Sequence, residues 1–231
     1  MPVIRIEFQK EGSTKYISHL DLMRTIQRSV RRADIPVEYT KGFNPHSRIS
    51  YGPALAVGVS SSGEYLDMEI KEQLDQDRLI ERLNTSLPSG IRATAARYVP
   101  DGSSSLASVI NAACYSIDGR AQPQNGHLKE RLSEFFSLPH VFIEKTDKKG
   151  RKKQVDIIPM ILDIEKILVQ DGRVVLEVIL ETGSKGNLKP ADLLGAIIKE
   201  TGINLRDVTI HRKGLLVKRG ERYFSPLEIF D

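Results

Sequence analysis

The sequence predicts an α+β fold made of two tandem ferredoxin-like halves, each in the order β-α-β-β-α-β with an antiparallel sheet. Three observations predict it. Short strand-like segments alternate with amphipathic helical segments through the first hundred residues. A small polar stretch, Asp101-Gly102-Ser103-Ser104-Ser105, then interrupts the pattern. A similar order of elements resumes after it. The expected division is 1–100 as the first domain, 101–112 as a linker and 113–231 as a second domain carrying an extended β-hairpin.

In the first half, Val3 to Phe8 alternates apolar and charged residues and reads as a strand. Ser18, followed three residues later by Asp21, opens a helix as an N-cap. Leu20, Met23, Ile26, Val30 and Ala33 fall at steps of three and four and predict its apolar face. Ile35 to Thr40 is expected as the second strand and Glu64 to Ile70 as the third. Glu64 and Asp67 should then point to opposite faces and make no carboxylate pair. Asp75 to Leu87 is a second helix, stopped by Pro88, and Ile91 to Val99 is the fourth strand.

Ala107 to Ala113 suggests a short helical linker. Beyond it come a strand at Cys114–Ile117, a helix at His127–Phe136 and a strand at Val141–Glu144. Val155–Val169 and Val174–Glu181 predict a hairpin around Asp171-Gly172. Pro190 starts a last helix that Gly202 ends. Val208–His211 and Leu215–Val217 complete the sheet.

Composition limits the function classes. The 231 residues are 40% hydrophobic and 28% charged, enough for a packed core. The formal charge of +4 permits anionic partners without requiring them. Cys114 is the single cysteine, which excludes a disulfide framework or a cysteine-held cluster within this chain. The start, MPVIRIEFQKEGS, has no long apolar run, and no stretch reaches 18 apolar residues. No signal peptide, membrane contact, metal or cofactor is expected, and the cytoplasm is the expected compartment. No phosphate-binding glycine loop or nucleophile elbow is present.

Three segments could carry chemistry. The window from Lys15 to Tyr51 holds seven Lys and Arg against three acids. Within it Arg24, Arg28, Arg31 and Arg32 recur along one helix. The following loop adds Lys41, Phe43, Asn44, His46, Arg48 and Tyr51. Arginine forks grip phosphates and aromatic rings stack on unpaired bases, a combination suited to single-stranded or looped RNA. An arginine face is equally what a solvated amphipathic helix carries. The second segment, Lys148 to Lys153, includes Lys149, Arg151 and Lys152. It suits a phosphate backbone, or a turn that discourages edge pairing. Third, His19 and His46 could act as acid and base in a metal-free nuclease, although a lone histidine is more often structural.

The stretches KYISHLDLMRTIQRSVRRADIP, YTKGFNPHSRISYGP and GEYLD resemble a bacterial radical-SAM-linked protein family. That family is a domain of unknown function encoded beside or fused to a radical SAM protein. The resemblance implies a partner on a separate chain that holds an iron–sulfur cluster on its own cysteines. It implies no catalytic residues here. The leading expectation is a non-catalytic accessory subunit that binds transfer or ribosomal RNA and presents it to that enzyme. Two alternatives stand beside it. One is a metal-independent endoribonuclease of the tandem-ferredoxin type, because the halves resemble RNA-processing proteins of CRISPR systems at fold level. The other is a protein-interaction module that docks on the partner without nucleic acid.

Overall fold

A computed structural model describes residues 1–121, 127–146 and 150–230. These form a mixed α+β chain, mostly sheet, with five α-helices among the described residues. The chain packs as two compact units, residues 1–111 with 212–231, and residues 112–211. Residues 101–111 of the expected linker pack within the first unit, and Ala112 opens the second. Residues 212–231, expected in the second domain, instead pack with the first hundred.

Unit 1 runs β1 (Val3–Lys10), α1 (His19–Arg32), β2 (Ile49–Tyr51), β3 (Ser60–Glu69), α2 (Gln76–Ser86), β4 (Ile91–Val99) and the single turn α3 (Leu106–Val109). β1 lies between β4 and β3, antiparallel to both, and β2 pairs antiparallel with β3. The even positions of β1 and β3, Ile4, Ile6, Phe8, Leu66 and Met68, join Leu22, Ile26 and Val30 of α1 and Leu79 and Leu83 of α2 in one buried core. Ile26, Val30 and Ala33 of the expected face of α1 are buried, and one end of that face differs. Leu22 faces the core and Leu20 is exposed, because Ile26, Ser29 and Val30 fix the rotation of the helix.

The ends of α1 follow from local chemistry. The Ser18 hydroxyl oxygen accepts from the Asp21 amide at 3.1 Å. At the other end Asp34 adopts φ 51°. The Asp34 amide donates to the Arg31 carbonyl and the Ile35 amide to the Val30 carbonyl. That is a Schellman turn, with aspartate where glycine is usual and with Val30 and Ile35 both buried.

Ile35 to Thr40 does not form the expected strand. Val37 and Tyr39 make only isolated bridges, to Ile70 and Ser47. Pro36 offers no amide to a ladder, and Ile49–Tyr51 takes the place beside β3. Gly90 shows why a glycine stands before β4. At φ +90° a Cβ there would lie 2.7 Å from the Glu11 carbonyl oxygen.

Unit 2 holds β5 (Ala112–Ala121), α4 (Leu128–Phe136), β6 (Phe142–Thr146), β7 (Lys152–Asp156), β8 (Ile161–Gln170), β9 (Arg173–Glu181), α5 (Pro190–Thr201) and the start of β10 (Leu205–Arg219). β9 pairs antiparallel with β5 and β8. The β8–β9 hairpin turns through Asp171 and Gly172 at φ 50° and 74°, the geometry that an Asp-Gly pair favours. The single strand expected over Val155–Val169 is broken. A 3₁₀ turn at Ile158–Met160, containing Pro159, separates β7 from β8. β6 and β7 form their own two-stranded hairpin. Cys114 is buried in β5, with its thiol 3.3 Å from a Glu165 carboxylate oxygen on β8.

β10 is one strand of 15 residues instead of the two short segments expected. Its second part enters unit 1, where Gly214 approaches Gly63 of β3. β11 (Arg222–Phe224) folds back on it. Residues 225–230 then lie across the second face of the unit 1 sheet. Arg5 donates to the Pro226 carbonyl at 2.9 Å and Arg97 to the Leu227 carbonyl at 3.0 Å. The Phe230 ring sits under both guanidinium groups, at 5.4 and 5.7 Å.

Candidate nucleic-acid interface

α1 presents Arg24, Arg28 and Arg31 to solvent, and the spacing of four and three keeps them on one side. At a rise of about 1.5 Å per residue, the three span roughly 10 Å of helix. Arg24 meets Asp21 only at 3.6 Å, with both side chains exposed. Such a pairing contributes little to stability. The Arg28 and Arg31 side chains make no hydrogen bond or ion pair among the described residues. The three guanidinium groups are available to a ligand.

Arg32 serves another purpose. Its Nη2 donates to the Ser86 carbonyl at 2.6 Å and the Ser29 hydroxyl at 3.0 Å, tying α1 to the end of α2. Ser29, buried, donates to the same carbonyl. These bonds satisfy a helix-terminal carbonyl that α2 itself cannot. Arg48 pairs with Glu69 at 2.9 Å.

The loop after α1 is closed at its base. The Thr40 amide donates to the His46 carbonyl at 2.8 Å, and the His46 amide donates to the Thr40 hydroxyl at 3.0 Å. Lys41, Phe43, Asn44 and His46 are exposed, and Phe43 reaches 108% relative exposure. A single exposed apolar ring is ordinary on a protein surface, and this one has its whole face open for stacking on a ligand. Tyr51 is half-buried. Burial pushes its phenol pKa up, and its ring meets His19 edge-on at 5.9 Å. His19 therefore packs on Tyr51, while His46 sits out on the loop.

The second predicted segment is less informative. Lys148 and Lys149 lie outside the described residues. Lys152 pairs with Glu144 across the β6–β7 hairpin at 2.9 Å, and Arg151 is exposed. At the base of that hairpin the Asp156 carboxylate accepts from the Val141 and Ile158 amides and meets His140 at 2.8 Å. The His140 contact, more than the two amides, holds the Asp156 carboxyl below its usual range.

Sequence reasoning missed a group of buried charges in unit 1. Arg5 grips Asp67 with two hydrogen bonds of 2.7 and 2.9 Å. Arg212 grips Glu64 in the same way, at 2.7 and 2.5 Å, and also donates to the Pro53 carbonyl. Lys10 is buried beside them, with its ammonium on the Ile17 carbonyl at 3.1 Å. Burial lowers the Lys10 pKa against the opposing pull of Glu64. Burial also lowers the His19 pKa, with Glu64 opposing it and Lys10 and Arg212 adding to it. Arg5 and Glu7 alternate with core residues, so they read as solvent-facing until the terminal segment covers them. Among the described residues, no group of three or more His, Cys, Asp or Glu could hold a metal ion. No helix among the described residues is long and apolar enough to cross a membrane.

Residues 3–190 match the family model described as "Uncharacterized protein conserved in bacteria (DUF2344)". The chain belongs to that family. No curated protein matches this DUF2344 chain. Among solved structures, a chain of the "Crystal Structure of a Cbf5-Nop10-Gar1 Complex" covers 93% of it at 10% identity and a TM-score of 0.50. The DUF2344 chain spans about half, 48%, of that longer one. At this identity the likeness concerns fold alone. The "Crystal Structure of an Unknown Protein from Galdieria sulphuraria" covers 91% of the chain at 9% identity and a TM-score of 0.28, and the match spans 98% of that protein.

Proposed function

We propose that this chain is a non-catalytic accessory subunit that binds RNA and presents it to a radical SAM enzyme on a separate chain. The observation that carries the RNA part is the stripe of Arg24, Arg28 and Arg31, exposed and left without strong acidic partners. Every other arginine of the Lys15–Tyr51 window is committed elsewhere, Arg32 to Ser86 and Arg48 to Glu69. Phe43 supplies an exposed ring on the loop that follows. Cations that grip phosphate, beside an aromatic that stacks on bases, are the two components of single-strand recognition. The partner follows from the resemblance of residues 39–53 and 63–67 to the radical-SAM-linked family.

The tandem ferredoxin-like reading of the fold belongs to this proposal. It is supported by the strand orders β4-β1-β3-β2 in unit 1 and β10-β5-β9-β8 in unit 2. Each is the order of a split βαβ unit, with the β6–β7 hairpin as an insertion in the second.

The test is fluorescence anisotropy of a labelled single-stranded RNA against the full chain. Replacing Arg24, Arg28 and Arg31 together with Glu should weaken binding by about a hundredfold at low salt. Unchanged binding would leave the stripe without a role in recognition. For the partner, the chain and the adjacent radical SAM protein should co-purify and together retain RNA that neither retains alone.

A further inference from the structure

A cleft of about 490 Å³ opens on unit 1 beside the loop that carries Phe43. Its volume falls within the range of small-ligand sites. Val3 and Val99, paired neighbours on β1 and β4 and both half-buried, give it an apolar patch. One wall is the Asp101–Ser105 turn. The other is the Ser47–Ser50 segment, with Thr40 at the base of the Phe43 loop.

The cations at this cleft are matched, and Asp101 adds an exposed carboxylate without an ion pair among the described residues. Asp67 is held on its inner side by the buried Arg5. Arg48 and Glu69 face each other at 2.9 Å, with side chains 47% and 29% exposed. A free polyanion gains little here, because each cation already has a carboxylate. The hydroxyls are less committed. Ser47, Ser50, Ser103 and Ser104 make no side-chain hydrogen bond among the described residues. The cleft thus offers an apolar patch, one donor–acceptor fork and a set of free hydroxyls.

A nucleoside has the complementary set. Its planar base has an apolar face, its edge carries both donors and acceptors, and its ribose carries hydroxyls. We infer that the cleft seats one unpaired ribonucleoside unit of RNA. The base lies on Val3 and Val99, its edge meets Arg48 and Glu69, and the ribose meets the serine hydroxyls. Phosphates remain outside, toward Lys41, and a neighbouring base stacks on Phe43. This deepens the RNA reading above by naming what is read, and for the RNA context it rests on that reading.

The experiment is amide NMR of the full chain titrated with adenosine, guanosine, cytidine and uridine, with inorganic phosphate as the control probe. At least one nucleoside should give saturable shifts at Ser47–Ser50 and Asp101–Ser105, with a Kd on the order of 0.1–1 mM. Phosphate should leave those amides in place. Ser104→Leu, which fills the cleft from an exposed position, and Glu69→Gln, which removes the edge charge, should each weaken binding at least fivefold. No shift at those amides from any nucleoside at about 10 mM overturns the inference, even if RNA binds. Phosphate shifting the same amides as strongly as a nucleoside also overturns it. Shifts from a nucleoside in a protein that fails the RNA anisotropy test would sustain the cleft and remove the RNA reading.

Discussion

Two sets of arginines in unit 1 face opposite fates. Arg5 and Arg212 are about 1% exposed, and each is matched by one carboxylate in a two-pronged grip. Arg24, Arg28 and Arg31 are exposed, and among the described residues only Arg24 of the three forms an ion pair, with Asp21. A buried guanidinium must be paired, because leaving it unpaired costs several kcal/mol. An exposed one need not be, since water satisfies it and an exposed pairing adds little. The first set is bound to the fold, and the second is free to meet a ligand. The same side chain thus reports stability in one place and recognition in another, and its partners decide which.

The largest expected effect lies in the buried set. Arg5→Met leaves Asp67 buried without its partner and should cost about 3–5 kcal/mol in urea denaturation. Arg212→Met should cost a similar amount through Glu64. A loss below about 1 kcal/mol would mean that water reaches these pairs and that the contrast with α1 is false. Next comes Phe43→Ala. It should weaken single-stranded RNA binding by about 1–3 kcal/mol and leave the urea midpoint unchanged, because the ring touches nothing in the fold. Lost stability with intact binding would reverse the roles assigned to the two regions.

A smaller effect sits at the end of α1. Asp34→Gly should relieve the left-handed backbone there and raise stability by about 0.5–1 kcal/mol, read as a higher urea midpoint. The smallest is a pH effect. Burial lowers the His19 pKa below its unfolded value of about 6.5. The unfolded chain then binds the proton more readily. Its contribution to stability is complete above that unfolded value and declines as pH falls through it toward the folded one. Comparing urea midpoints at pH 7 and pH 5, His19→Gln should lose less than the wild type. An equal loss in both would place the pH dependence on the carboxylates alone.

What the sequence revealed was local. The Ser18 cap, the Asp171-Gly172 hairpin and the end of α5 at Gly202 each depend on a few neighbouring residues. What it concealed was non-local. Arg5 finds Asp67 62 positions away, and Arg212 finds Glu64 148 positions away. Arg5 stands in an alternating strand, so it reads as solvent-facing until residues 225–230 cover that face. Leu20 misleads for a different reason. Apolar residues at 20, 22, 23, 26 and 30 fit two helix faces, and packing against α2 and the sheet selects the one through Leu22. Among the candidate site residues, the positions of Arg24, Arg28 and Arg31 on one exposed side were legible from spacing alone. That Arg32 is tied to the end of α2 was not, because its partner Ser86 lies on another helix.

Whether the exposed arginines of α1 meet phosphate is decided by the salt dependence of RNA affinity. It is measured from about 50 to 200 mM salt for the wild type and for the Arg24→Ala, Arg28→Ala, Arg31→Ala triple variant. The slope of log affinity against log salt should become shallower by about 2 in the variant, at roughly 0.7 for each phosphate that is no longer neutralised. Parallel lines for the two proteins would contradict phosphate binding by the α1 stripe.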